Sequence, residues 1–303
     1  MGQMLGKRLE PNRIVDGILP GNAESAFDEH TADRGIHVLV GSPTYRGGAY
    51  ALDRFLENQR EIQRRFPNSE LILATAEHDF APELESLLAS RGIMGRVVLY
   101  EVVKPPYARR IIWNVACGRE SIRRYMLSQT DADYLLSLDH DMVCDPNIIR
   151  ILLGEIQGYD VVHSGHRLRW SDHAIGMGAG CALISRRALE KVAFRCFEFR
   201  NGDIMDDGLT LELDLIRSGC RVKKGVFLRI DHYIDAERVR SIEPQPLGLL
   251  RRLSTSWPFR YAILRLSLLL RRDISSRLHI ALLGLLGFKR GIRRVRIGTR
   301  RGD

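Results

Sequence analysis

The five cysteines (Cys117, Cys144, Cys181, Cys196, Cys220) include no C-x-x-C pair; their number is odd and their spacing wide. That excludes a disulfide scaffold and a structural zinc site, and it suits a reducing cytoplasm. The N-terminus lacks the basic-then-apolar pattern of a signal peptide, and Gly6 stands where a myristoylation signal has Ser or Thr, so export is not expected. No bilayer-spanning run is present in the leucine-rich C-terminal part, whose longest stretch without Arg, Lys, Asp or Glu, Leu278 to Phe288, has 11 residues. A spanning helix needs about 20. The glycines after the first predicted strand form neither G-x-G-x-x-G nor G-K-[ST], so neither a dinucleotide fold nor a P-loop is expected.

Acidic residues are scarce in one place. From Leu247 to Asp303, 13 Arg and one Lys face only Asp273 and Asp303, a surplus of +12 that leaves residues 1 to 246 at −3 of the chain's +9. A near-neutral body with a basic tail predicts local electrostatic attachment rather than a surface that wraps nucleic acid. Apolar residues, not aromatic stacking residues, accompany these arginines, and no nucleic-acid partner is expected.

What is present is an alternation of strands and helices. Residues 1–34 show no sustained period and read as an arm. Ile36 to Val40 is a strand stopped by Gly41-Ser-Pro-Thr-Tyr-Arg-Gly-Gly48, and a helical pattern runs from Ala49 to Phe66. Glu70 to Ala76 is a second strand, Pro82 to Ser90 a helix, Arg96 to Val103 a third strand, and residues 109 to 129 a helix. The fourth strand is Tyr134-Leu-Leu-Ser-Leu, ending at Asp139-His140-Asp141. Helix 147–157 and strand 160–164 follow, then a Gly-rich run from Gly176, a helix opened by Asp206-Asp207, and a strand from Arg221 to Ile230. This order predicts an α/β fold with a mostly parallel sheet and helices on both faces. The expected units are the arm, a domain over 35–246 and a basic helical tail over 247–303.

In parallel sheets, ligands collect at the carboxyl ends of the strands. Pro43 to Gly48 follows the first strand, Glu77 and Asp79 the second, and Asp139 and Asp141 the fourth. Two carboxylates at i and i+2 can hold a hard divalent cation, although an isolated Asp-x-Asp is also ordinary turn chemistry. Polar clusters at three strand ends favour a shared cleft. Acid at a helix start is ordinarily cap and dipole chemistry, which accounts for one of Asp206 and Asp207; the other can face the cleft and take a proton from a hydroxyl. His232, directly after a strand, can add an imidazole to the same metal.

Taken in order, Val40-Gly-Ser-Pro-Thr-Tyr-Arg, Asp131-Ala-Asp-Tyr-Leu-Leu-Ser-Leu-Asp139-His-Asp141, Gly178-Ala-Gly-Cys-Ala-Leu-Ile-Ser-Arg-Arg-Ala-Leu, and Asp206-Asp207 with Arg217-x-Gly219 form a set. This set resembles the nucleotide-sugar-dependent glycosyltransferases of the GT-A type, most closely the family 2-like group, over roughly residues 36 to 233. The resemblance implies a UDP- or GDP-sugar donor, a glycan or lipid-linked acceptor and a Mn²⁺ or Mg²⁺ cofactor. It implies that Pro43 and Thr44 lie along the base, that Glu77 holds base or ribose, and that Asp139 contacts ribose or metal. Asp141 and His232 would ligate the metal, and Asp207, with Asp206 beside it, would be the general base of an inverting transfer. The chain departs from the family's Ala-Arg-Asn, reading Arg109-Arg-Ile-Ile-Trp113-Asn114 in the corresponding stretch, and has Asp206 where Glu is commoner. A nucleotidyltransferase also uses paired carboxylates and a metal, but the basic, glycine-rich phosphate loop it would carry at the first strand is missing. The other alternative is a silent relative that binds a glycan or a membrane.

Leucine, Trp and Phe beside Arg in the tail suit helices lying on an anionic membrane surface through residues 247–297, each basic residue adding about 1 kcal/mol. Packing of the same helices on the catalytic domain or on a second subunit is the alternative. A cytoplasmic protein, peripheral at the inner membrane face, is the placement these features predict.

Overall fold

The structure, a computed structural model, describes residues 35–167, 174–175, 178–241 and 257–271. The predicted arm and most of the predicted tail lie outside the described residues. The central sheet takes the order β11-β6-β8-β4-β1-β2-β3. Its strands are β1 (Val38–Pro43), β2 (Ser69–Thr75), β3 (Gly95–Leu99), β4 (Tyr134–Leu138), β6 (Val161–Arg167), β8 (Cys181–Ser185) and β11 (Val222–Phe227), with the short β7 (Ala174–Ile175) paired to β6. Every strand along this path is parallel to its fellows except β8, which runs antiparallel to both β4 and β6.

Alternation along each strand explains why both faces are covered. Val38 and Val40 of β1, Leu71 and Leu73 of β2, and Leu136 and Leu138 of β4 point to one face, where they meet α1 (Leu52–Arg65), α2 (Ala81–Ser90) and α4 (Ile148–Glu155). Leu39, Ile72 and Leu135, one residue out of phase, face α3 (Ile112–Gln129), α5 (Arg186–Leu189) and α6 (Asp207–Arg217). Sheets buried on both sides read as nearly continuous apolar runs, as β1, β2 and β4 do. The predicted α/β architecture is the observed one.

The boundaries differ in informative ways. β1 continues through Gly41 to Pro43, because Gly41 lies under α3, where a Cβ would come within 2.5 Å of Ile122 Cγ2. The helical pattern expected from Ala49 begins as a 3-10 turn (Arg46–Ala51) and becomes α-helix at Leu52. β3 stops at Leu99, and no strand or helix follows until α3 starts at Ile112. The stretch predicted as one strand from Arg221 to Ile230 divides into β11 and β12 (Ile230–Tyr233). β12 joins a separate small sheet with β5 (Met142–Cys144) and β13 (Val239–Ser241).

The last described helix, α7 (Trp257–Leu270), falls within the segment read as a basic tail, and it packs on the body. Leu264 is fully buried with Leu213 of α6 and with Met205 of the hairpin β9 (Phe197–Glu198) and β10 (Ile204–Met205). All five cysteines are free thiols. Among the described residues, no helix is long and apolar enough to cross a membrane.

Candidate active site

The chain winds from β1 outward through β2 and β3, then returns to place β4 on the other side of β1. At such a reversal the loops leaving adjacent strands part in opposite directions and open a crevice. The β1–β4 ladder ends at Gly41 and Ser137, while β1 stays paired with β2 as far as Pro43 and Ala74. The two strand ends therefore part beyond that point, with the Pro43 loop on one side and the Asp139 turn on the other, and the polar residues singled out in the sequence are found there.

Arg119, on the inward face of α3, is the residue that joins them. It is 5% exposed, and its guanidinium is shared between Asp139 through Nη2 and Asp207 through Nη1. Burial works against its charge, but the two carboxylates outweigh that and raise its pKa above the usual arginine value. Asp207, in the first turn of α6, is itself buried. Asp206 stands one residue earlier as the N-cap, its carboxylate accepting the Leu209 N–H at 2.8 Å. The adjacent aspartates thus have different neighbours: one caps the helix, and the other meets the cation in the crevice. The stretch Arg109-Arg110-Ile-Ile-Trp113-Asn114 does not supply that cation. Arg109 and Arg110 are exposed, with Arg110 Nη2 donating to the Gly202 carbonyl at 2.7 Å.

The turn after β4 is fixed from behind. The Asp139 N–H donates to the Gly180 carbonyl (2.9 Å), Ser137 Oγ to that of Ala179 (2.6 Å), and His163 Nδ1 bonds that of Gly178 (2.9 Å). Three successive carbonyls of the glycine loop are tied to the sheet. α6 begins against this loop, with Gly208 so close that a Cβ would lie 3.4 Å from Ala179 N.

His232 reaches the site by strand pairing. β12 runs antiparallel to β5 with His232 opposite Met142, and the Tyr233 N–H donates to the Asp141 carbonyl at 2.8 Å. His232 Nε2 consequently sits 3.4 Å from Asp141 Oδ1, with both side chains buried. An ion ~2.1 Å from each donor, at an angle of about 90–110°, separates them by roughly 3.0–3.4 Å. The oxygen and nitrogen pair fits one divalent cation. The expected third ligand, Asp139, is not gathered with them: its carboxylate is on Arg119, and among the described residues no three of His, Cys, Asp or Glu form a metal-binding group.

The residues expected along a base are less open than the sequence suggests. Thr44 is 1% exposed; its N–H donates to the Ala74 carbonyl at 2.7 Å, and its hydroxyl donates to that of Ser42 at 3.2 Å. Pro43 is buried, and its carbonyl accepts from His140 Nδ1 at 2.8 Å. Glu77 is half-buried and accepts the Arg46 N–H at 2.9 Å, while the Arg46 guanidinium pairs with Asp79 and Glu83. The loops after β1 and β2 are thus bound together.

No family model matches the chain, and no curated protein matches it. Among solved structures it is similar to TarS 1–349 of S. aureus in complex with UDP, at 11% identity and a TM-score of 0.43. That match covers 64% of this chain and 58% of that one, so it spans less than two thirds of the TarS chain. It is also similar to the mannosyltransferase PcManGT from Pyrobaculum calidifontis in complex with GDP-Man and Mn²⁺, at 14% identity and a TM-score of 0.46, covering 84% of this chain and 81% of that one.

Proposed function

We propose that the chain is a glycosyltransferase of the GT-A type, family 2-like, moving a sugar from a UDP- or GDP-sugar to a glycan or lipid-linked acceptor with inversion. The observation that carries this reading is the convergence at one crevice of the Asp141–His232 pair with the Asp139–Arg119–Asp207 chain. Asp141 and His232 would hold the divalent ion, Mn²⁺ or Mg²⁺, which would supply positive charge to a departing nucleoside diphosphate. Asp207 accepts the proton of the acceptor hydroxyl on a carboxylate oxygen. Arg119 orients that carboxylate for this role. Asp139 contacts the donor ribose from its position beside Arg119. Glu77 and the backbone of Pro43 and Thr44 border the base. Asp206 starts α6 and so sets the height of Asp207 in the crevice.

The attachment reading for the tail rests on α7. Its outer face exposes Leu266, Leu269 and Leu270 between Arg265 and Arg271, and the helix carries no acidic residue. Leucines flanked by arginines match an anionic lipid surface. A peripheral enzyme acting on a membrane-held acceptor is the placement this supports.

The test is hydrolytic release of nucleoside diphosphate from UDP- and GDP-sugars, with water taking the place of the acceptor hydroxyl, in the presence of Mn²⁺, compared among the parent, Asp141→Asn and Asp207→Asn. The parent turns over one donor class, and each variant loses at least about 100-fold. Parental turnover in Asp141→Asn, or none from the folded parent with either class, overturns the proposal.

A further inference from the structure

We infer that His140, the residue between the two aspartates, is a positioning residue that locks the loop after β1 to the turn after β4. The two ends of a donor, nucleoside and diphosphate, then meet one rigid unit. The inference builds on the reading of the crevice as a nucleoside-diphosphate-sugar site.

The β1–β4 ladder stops at Gly41 and Ser137, so beyond it the two strand ends are no longer paired with each other. His140 spans this gap. It is 3% exposed, and its Nδ1 lies 2.8 Å from the Pro43 carbonyl oxygen, a contact across 97 residues of sequence. A carbonyl only accepts, so Nδ1 carries the proton. The ring meets Tyr45 edge-on, with centroids 5.1 Å apart and planes at 86°. On its remaining side stands Gly48, where a Cβ would fall 2.0 Å from Nε2 and 2.7 Å from Cε1. Three residues of one loop, Pro43, Tyr45 and Gly48, therefore enclose a ring whose backbone lies between Asp139 and Asp141. A longer side chain at 140 would collide with Gly48. A side chain without a donor would leave the Pro43 carbonyl without this bond where β1 has already parted from β4.

If one unit carries both half-sites, filling either half stiffens it for the other. Nucleoside and pyrophosphate then bind cooperatively, and loss of His140 removes the coupling more than either separate affinity. The loop is also freed locally: amide exchange over residues 45–51 rises, since those amides open without global unfolding once the tie is cut.

The experiment measures binding of uridine and guanosine, of pyrophosphate with Mn²⁺, and of UDP and GDP with Mn²⁺, together with amide exchange, in the full chain. The variants are His140→Ala, His140→Asn and Gly48→Ala. In His140→Ala and Gly48→Ala, nucleoside-diphosphate affinity falls at least about tenfold beyond the losses for the separate halves, and exchange over 45–51 speeds up by a similar factor. His140→Asn, whose amide can donate to the Pro43 carbonyl, recovers part of both. If His140→Ala does not fold, Gly48→Ala, which removes no hydrogen-bonding side chain but pushes the His140 ring off the Pro43 carbonyl, decides the matter. Unchanged exchange and unchanged coupling overturn the inference. A parent that binds no nucleoside diphosphate defeats the donor reading, and with it the role in donor binding, while the exchange result still judges the tie itself.

Discussion

Arg119 is the cation on which two acidic motifs meet, and its removal has consequences of two kinds. Arg119→Leu leaves the buried Asp207 carboxylate without a counter-charge, a loss of about 3–5 kcal/mol readable in urea unfolding. Arg119→Lys supplies one point charge instead of a planar fork and cannot face both carboxylates, so it keeps most of the stability and loses turnover. The neighbouring aspartates separate in the same way. Asp206→Ala costs about 1 kcal/mol through loss of the cap and leaves turnover within a few-fold, whereas Asp207→Asn keeps the helix and abolishes turnover. A turnover loss in Asp206→Ala equal to that in Asp207→Asn contradicts this division. The residue scale also sets an acid limit. Burial pushes the Glu120 carboxyl up, but Arg123, Arg124 and the Phe194 N–H outweigh that and hold it below its ordinary value. A depressed carboxyl contributes stability above its unfolded pKa of roughly 4.3 and loses it as pH falls through the folded value. Glu120→Gln should therefore lower the melting temperature at pH 7 and narrow its gap to the parent as pH drops below about 4.

At the scale of elements, the hairpin β9–β10 is a clamp between two sides of the site. Glu198 Oε2 accepts the backbone N–H groups of Arg109 and Arg110 (3.2 and 3.3 Å) and the Trp113 indole N–H (3.2 Å), anchoring the start of α3. On the other side, Met205 packs with Leu213 and Leu264, joining α6 to α7. The helix bearing Arg119 and the helix bearing Asp207 are both held by this hairpin. Leu264→Ala is expected to cost about 2–4 kcal/mol, measured by chemical unfolding. A cost near zero would mean that α7 contributes nothing to the body. Its outer face is tested separately: with Leu266, Leu269 and Leu270 changed together to Ser, co-sedimentation with vesicles containing phosphatidylglycerol drops several-fold while unfolding is unchanged, and undiminished sedimentation contradicts the attachment reading. Little of this arrangement was legible in the sequence. The hairpin strands are two residues each and show no period, and the arginine that matters lies two turns into α3, away from the Arg109–Asn114 stretch set against the family's Ala-Arg-Asn, from which it departs. In the sequence His232 is legible only as a histidine after a strand; its partner is fixed by the register of β12 on β5, which no local pattern encodes.

At the scale of the whole molecule, the legible part is the alternation that buries both faces of a parallel sheet. Val38, Val40, Leu71 and Leu73 are packed on one side and Leu39 and Ile72 on the other, as unbroken apolar runs require. The antiparallel β8 was not legible, because a five-residue apolar strand carries no mark of its direction. Its direction matters: it brings the glycine loop to the carboxyl edge, where the loop's carbonyls secure the Asp139 turn. Strand order then opens the crevice between β1 and β4, and the acidic residues follow from that. The central claim, a metal-assisted nucleoside-diphosphate site in this crevice, is tested most directly by a thermal-shift titration against UDP, GDP, CDP and dTDP, each with and without Mn²⁺. A ligand that binds only the native state raises its apparent stability, by about 2.7 kcal/mol at 100 times its dissociation constant. The account predicts a rise with UDP or GDP only when Mn²⁺ is present, absent in Asp141→Asn. A rise independent of metal, or retained in that variant, or no rise with any nucleotide, contradicts it.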